Sequence, residues 1–189
     1  MAEIPDDYFL DADDDLVDFL EKQGEDCIRE LNQSNTTNRE NGYKLLSIQI
    51  VGIGSSFLLL SQKAQIDFLS AGIAVFTVYW SICAVFLVLG VLAVRQRGLI
   101  SATPDVLYSA HYKNINDEDV EEIRGKGFEG EFRRLSVLRR YRLATLCRTA
   151  GELGRHNVKI STRLTRVRMA TILTPACAIL ISVVIYFFG

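Results

Sequence analysis

The densest run of side chains able to do chemistry is a set of arginines, Arg133, Arg134, Arg139, Arg140 and Arg142, extended by Arg148 and Arg155. A guanidinium presents a planar fork of N–H donors that matches two phosphate or carboxylate oxygens at once. The cluster could therefore hold a nucleotide, a nucleic acid or anionic lipid headgroups. The plainer role is a basic belt that enforces membrane topology and meets lipid phosphates. Sequence-specific nucleic-acid binding is not expected.

Other candidate chemistry is thin. Gly125, Gly127 and Gly130 match G-x-G-x-x-G letter for letter, but an acidic helical run precedes them where a nucleotide-binding fold needs a strand. They read as a turn leading into a long helix. His111 and His156 are isolated, and Tyr108, His111 and Tyr112 share a helical face that reads as packing. Cys27, Cys83, Cys147 and Cys177 are scattered, which gives neither a disulfide framework nor a metal site. The expectation is a chain that is not an enzyme and carries no cofactor or metal.

The elements that must position these residues are hydrophobic. Residues 169–189 contain no Asp, Glu, Lys, Arg or His, and neither do 45–60 or 68–94. At about 1.5 Å per residue each stretch approaches or exceeds the roughly 30 Å of a hydrocarbon layer once modest tilt or thinning is allowed. Three transmembrane helices are predicted, at 44–61, 68–94 and 169–189. The remaining residues form an acidic N-terminal helix and linker, 1–43, and a basic helical module, 95–168. The expected fold class is an all-α membrane protein. The overall charge of −2 hides an asymmetry, since residues 1–43 hold 13 acidic and 3 basic side chains while 95–168 hold 9 acidic and 16 basic. The positive-inside rule places that basic module in the cytoplasm, with Arg163, Arg166 and Arg168 flanking the last span. The N-terminus then lies inside, residues 61–67 outside, and the C-terminus outside. The acidic start lacks an early apolar stretch, so no cleavable signal is expected.

Within the spans, Gln49, Gly52 and Ser56 recur at three and four residues on one helix face, with Ser55 beside it. Thr171, Thr174 and Ser182 form a weakly polar set around Pro175. Such residues line a water-filled path or glue helices together, and both readings stand for Gln49, Ser55, Ser56, Thr171, Thr174 and Ser182. Pro175 frees a backbone carbonyl and kinks its helix, as a gate hinge or as an ordinary bend. The second span exceeds what a bilayer needs, and Trp80, near its middle, carries no assigned role. No span contains an internal charge, which argues against proton-coupled transport and voltage sensing.

Upstream of the last span a heptad stripe includes Leu146, Leu153, Asn157, Ile160 and Leu164. It reads either as the seam of a homo-oligomer, its register fixed by the Asn157 amide, or as a stripe packed on a helix of the same subunit. Asp13, Asp14 and Asp15 can cap an amphipathic helix bearing Leu16, Phe19, Leu20, Cys27, Ile28 and Leu31. That acidic helix is either a lid that docks on the basic block and releases to a competing anion or partner, or a solvated element. Residues 34–41 read as a linker or wet helical turn. Thr103-Pro104-Asp105 reads as one helix start and Asn116-Asp117 as another, for 118–124.

Arg39 to Lys44 leading into the first span, LYSAHYKNINDEDVEEI at 107–123 and NVKISTRLTRVRM at 157–169 give a layout similar to small bacterial anti-phage transmembrane effectors. The similarity is to Pycsar-type membrane effectors and to two-span effectors that accompany nucleotide-signal synthases. It covers most of residues 39–188 as a pattern and leaves the first 38 without a counterpart. The resemblance implies an inner-membrane toxin, silent until infection, that opens or disrupts the membrane. Its implied partners are membrane lipid, further copies of the chain, and a nucleotide signal or soluble regulatory protein. The rival expectation is a non-conducting scaffold that recruits a soluble partner through the acidic and arginine-rich helices.

Overall fold

The computed structural model describes residues 5–63, 67–93, 113–114, 116–128 and 132–188. All regular structure among them is helical, in the order α1 (Asp14–Ser61), α2 (Phe68–Leu87) with a π-helical turn (Val88–Leu92), α3 (Asp117–Gly125) and α4 (Arg134–Phe188). Three of the helices are long and apolar enough to cross a membrane, namely α1, α2 with its π-helical turn, and α4. The Thr103-Pro104-Asp105 helix start and the face shared by Tyr108, His111 and Tyr112 lie outside the described residues.

Capping chemistry sets the helix starts. The Asp13 carboxylate accepts from the Leu16 N–H at 2.6 Å, which satisfies a donor that the first turn of α1 leaves free. Asp67 and Ser70 form a reciprocal capping box at the start of α2, and Asn116 and Asp119 form one at the start of α3. After α3 the chain turns at Gly127, whose φ of 99° suits glycine because a Cβ would crowd the following carbonyl. That turn agrees with the reading of the glycine motif.

The chain divides into two compact units, one of Met1–Gln33 and Gln96–His156, the other of Ser34–Arg95 and Asn157–Gly189. In the first unit α1 and α4 run parallel, Asp14 meeting Ser136 and Glu25 meeting Arg142 further along both helices. Leu10, Ile123, Phe128 and Val137 form its buried centre, with Phe132 and Tyr141 against it. In the second unit α1 and α4 are again parallel, Asn38 meeting Asn157 and Gln49 meeting Thr171. Here α2 runs antiparallel to α4, with Trp80 against Thr171 and Gly72 against Ser182. Leu87, Val91, Leu92, Ile160 and Leu164 are its buried cluster, joined by Leu45, Leu46 and Val167.

Two expectations narrow. Residues 34–41 are not a linker, because α1 continues through them. Their polar groups serve a partner helix: the Asn38 amide donates to Asn157 Oδ1 at 2.9 Å, and Asn157 Nδ2 donates to the Ser34 hydroxyl at 2.8 Å. The heptad stripe, for its part, is taken up within this chain, the second of its two readings. Leu146, Ile160 and Leu164 are buried and Leu153 is half-buried within this chain. In the first unit Leu146 lies against Gly24 of α1, where an added Cβ would sit 3.6 Å from it. The Asn157 amide fixes the register of α1 against α4 in the way an oligomer seam would have used it.

Candidate functional site: a charged clasp and a polar node

In the first unit the acidic start of the chain and the arginines of α4 hold each other. Arg139 donates through Nε and Nη2 to Glu21 at 3.0 and 2.7 Å and also pairs with Asp18. Arg142 reaches Glu21 at 3.3 Å and Glu25 at 2.5 Å, and Arg148 reaches Asp6 at 2.9 Å. Arg140 is 2% exposed. Its Nε donates to the Ala12 carbonyl at 3.0 Å, and its Nη1 donates to Ser136 O at 2.8 Å and Asp14 Oδ1 at 3.0 Å. Its guanidinium also lies 4.8 Å from the centre of the Phe128 ring. A buried guanidinium is tolerated only when its donors are met, and here main chain meets most of them. Four intrachain groups therefore converge on Arg140 and fasten residues 12–14 to α4.

The electrostatics follow from this geometry. The hydrogen bond from the Ser136 hydroxyl, then that from Arg140, holds the Asp14 carboxyl below its ordinary range. Hydrogen bonds to Glu21 and then Asp18 push Arg139 still further toward its charged form. Burial raises Tyr141 and the Cys147 thiol, so Cys147 is no activated nucleophile. Of the arginines singled out from the sequence, Arg139, Arg140 and Arg142 pair with carboxylates of the same chain. An anion reaching these three must displace carboxylates. The acidic N-terminal region is thus docked on three of the five arginines.

The second unit is held by neutral groups. Pro175 has no N–H, so the Thr171 carbonyl four residues earlier loses its helical partner. The Trp80 indole N–H of α2 donates to that carbonyl at 3.3 Å. From α1, Gln49 Nε2 donates to the Thr171 hydroxyl at 2.8 Å, and that hydroxyl donates on to Val167 O at 2.9 Å. Gly52 makes the junction possible, since a Cβ there would lie 2.1 Å from the Trp80 ring. A second crossing joins Thr77 of α2 to Ser56 of α1 at 2.7 Å. Gly72 is a third, where a Cβ would lie 1.9 Å from Ser182 Oγ and 2.9 Å from the Ala178 carbonyl. Gln49 Oε1 is buried with no hydrogen-bond partner, which leaves one acceptor of the node unused.

These contacts correct the pore-lining expectation for this conformation. Gln49, Ser56, Thr171, Thr174 and Ser182 are all buried between helices of one chain, the helix-gluing role that the sequence also allowed. Thr174 turns its hydroxyl back to Ala170 O at 2.7 Å. Ser55 alone of the six is exposed, on an apolar cavity of about 850 Å³ that Ser56, Pro175 and Ser182 also line. The sequence missed Trp80. Pro175 announced an orphan carbonyl at Thr171, but only packing shows which helix supplies the donor.

Among the described residues no group of three His, Cys, Asp or Glu side chains could hold a metal ion. No protein-family model, curated protein or solved structure matches this chain.

Proposed function

We propose that this chain is a multi-pass membrane effector held at rest by its own acidic N-terminal region, and that it permeabilises or disrupts the membrane when that region is released. The observation that supports it is the clasp, in which Asp6, Asp14, Asp18, Glu21 and Glu25 occupy Arg139, Arg140, Arg142 and Arg148. A competing polyanion, a nucleotide signal above all, or a basic face on a soluble regulator would trade against these pairs. Most of them are at least partly exposed, and surface pairs are individually worth about 0–1 kcal/mol, so a ligand can compete for them. The chain would sit in a bacterial inner membrane, N-terminus inside and C-terminus outside, as a homo-oligomer of the anti-phage effector type. The resting state would conduct nothing, because five of the six polar span residues are buried between helices of one chain. Opening would require α4 to move at Pro175.

The test is ion flux from liposomes carrying the full chain. Wild-type vesicles should stay tight, and a Glu21→Arg, Asp18→Arg variant should leak. Vesicles that stay tight with the variant, although hydrogen exchange shows the N-terminal region detached, would defeat the proposal. That outcome would favour the second reading, a non-conducting scaffold, which the engaged state of Gln49, Ser56, Thr171, Thr174 and Ser182 also fits. Under that reading the same variant loses a soluble partner and never leaks.

A further inference from the structure

The arginines that the first unit consumes contrast with cations in the second that have no carboxylate partner among the described residues: Arg39 and Lys44 of α1, and Lys159, Arg163, Arg166 and Arg168 of α4. All are exposed except Arg39, which is half-buried. Among the described residues of this unit the only carboxylates are the exposed Glu40 and Asp67. Their heights along the helices follow from bonded pairs. Lys44 and Arg166 each precede a member of the Gln49–Thr171 pair by five residues, about 7.5 Å, so they are level. Arg39 and Lys159 follow the Asn38–Asn157 pair by one and two residues and are level with each other. Arg163 lies between these tiers and is anchored, its Nη1 donating to the Gly90 carbonyl in the π-helical turn at 3.2 Å. That bond uses one of five N–H groups and holds the guanidinium at the end of the second hydrophobic helix. The opposite end of the unit is different, since Lys63 there is neutralised by Asp67 at 2.7 Å.

We infer that this two-tier cationic collar is a binding site for the phosphates of anionic lipid headgroups. Its tiers span about one headgroup layer, and the upper one lies immediately below the uncharged stretches of α1 and α4. A phosphate there meets guanidinium forks and ammonium groups that need not first be freed from an internal carboxylate. The inference rests on the membrane reading but not on the pore or the clasp. A basic side chain near an anionic surface is worth about 1 kcal/mol, which is about five-fold in affinity, and closely spaced ones are less than additive.

The full chain in neutral detergent is titrated with phosphatidylglycerol or with phosphatidylcholine of the same acyl composition, and bound lipid is counted by native mass spectrometry. Phosphatidylglycerol should be retained about tenfold better than phosphatidylcholine. Lys159→Gln with Arg163→Gln and Arg166→Gln should abolish that preference, Lys-for-Arg exchanges at 163 and 166 should keep most of it, and Lys63→Gln should leave it intact. Emission from Trp80, the one tryptophan, reports whether unit packing survives in each variant. Equal retention of the two lipids, or equal loss in Lys63→Gln, would overturn the collar. Displacement of phosphatidylglycerol by inorganic phosphate would also overturn it and assign the site to a free phosphate ligand. Alkaline carbonate extraction separates the two layers of inference. A chain that stays with the membrane pellet yet ignores headgroup charge sinks the collar alone, whereas release into the supernatant removes the membrane reading and the collar with it.

Discussion

The two units solve the same problem, joining α1 to α4, with opposite chemistry. In the first, arginines of α4 grip carboxylates of the N-terminal region, and one guanidinium is buried to do so. In the second, an amide, a hydroxyl, an indole and a proline-freed carbonyl do the work, and the cations stay at the rim. The difference teaches that arginine density in the sequence was a poor guide to anion access. Arg139, Arg140 and Arg142 at the middle of the crowded cluster are spent internally, and the sparser cations beside the spans have no carboxylate partner among the described residues. Residues 34–95 and 157–189 hold eight Lys or Arg and only two acidic residues, Glu40 and Asp67, so the second unit had too few carboxylates to neutralise its own charge.

The contrast can be broken at either end. Arg140→Ala should have the largest effect, removing a buried side chain and leaving the Ala12 carbonyl without its guanidinium donors and Asp14 without its partner. It should cost the first unit about 3 kcal/mol. Hydrogen exchange should then rise across residues 5–33 while the Trp80 environment stays fixed. If protection instead falls in the second unit to the same extent, the two are not independently held.

Gly52→Val strikes the other side, forcing a branched side chain into the Trp80 ring. About 2 kcal/mol of destabilisation is expected, with a shift in Trp80 emission and no change in exchange at Arg139 or Arg140. Unaltered emission would mean that α1 and α2 do not cross at this point.

Trp80→Phe keeps most of the ring and removes one N–H donor, leaving the carbonyl freed by Pro175 unsatisfied. It should cost about 1 kcal/mol, and Pro175→Ala, which restores the helical N–H, should recover most of that loss. A double-mutant cycle with no coupling between the two positions would refute the proposed clamp on the kink.

Acid should separate the units by the smallest margin. Asp14 titrates below its ordinary range in the folded chain, so its contribution is complete above about pH 4 and fades as pH falls through the folded value. Lowering pH from 5 to 3 should loosen residues 5–33, and Asp14→Asn should flatten that dependence. In the second unit Asp67 is likewise depressed, first by its hydrogen bond from Lys63, so acid should reach only the start of α2, which Asp67 caps. A pH-dependent Trp80 signal between 5 and 3 would contradict that confinement.

Much of this was legible in the chain. The uncharged stretches marked the three long helices, Asp13 and Asn116 marked helix starts, and the glycine motif marked the turn seen at Gly127. Of the two readings of residues 34–41 the linker fails and the helical one holds; the linker was on offer because Ser, Asn and Thr favour caps and turns when nothing else takes their hydrogen bonds. Asn157 takes them here, and it lies more than a hundred residues away. The stripe through Leu146 and Ile160 had the right period, but a period names a buried face without naming its partner.

The sequence by itself determined which segments are helical and apolar and where charge is excluded, because these depend on residue type and on local spacing. Tertiary structure alone decided which arginines remain open, which polar span residues are consumed, and which donor rescues the Thr171 carbonyl. Each of those outcomes is a pairing between distant helices, and a hydrogen bond or ion pair has no owner until packing brings its second partner within 3 Å or so.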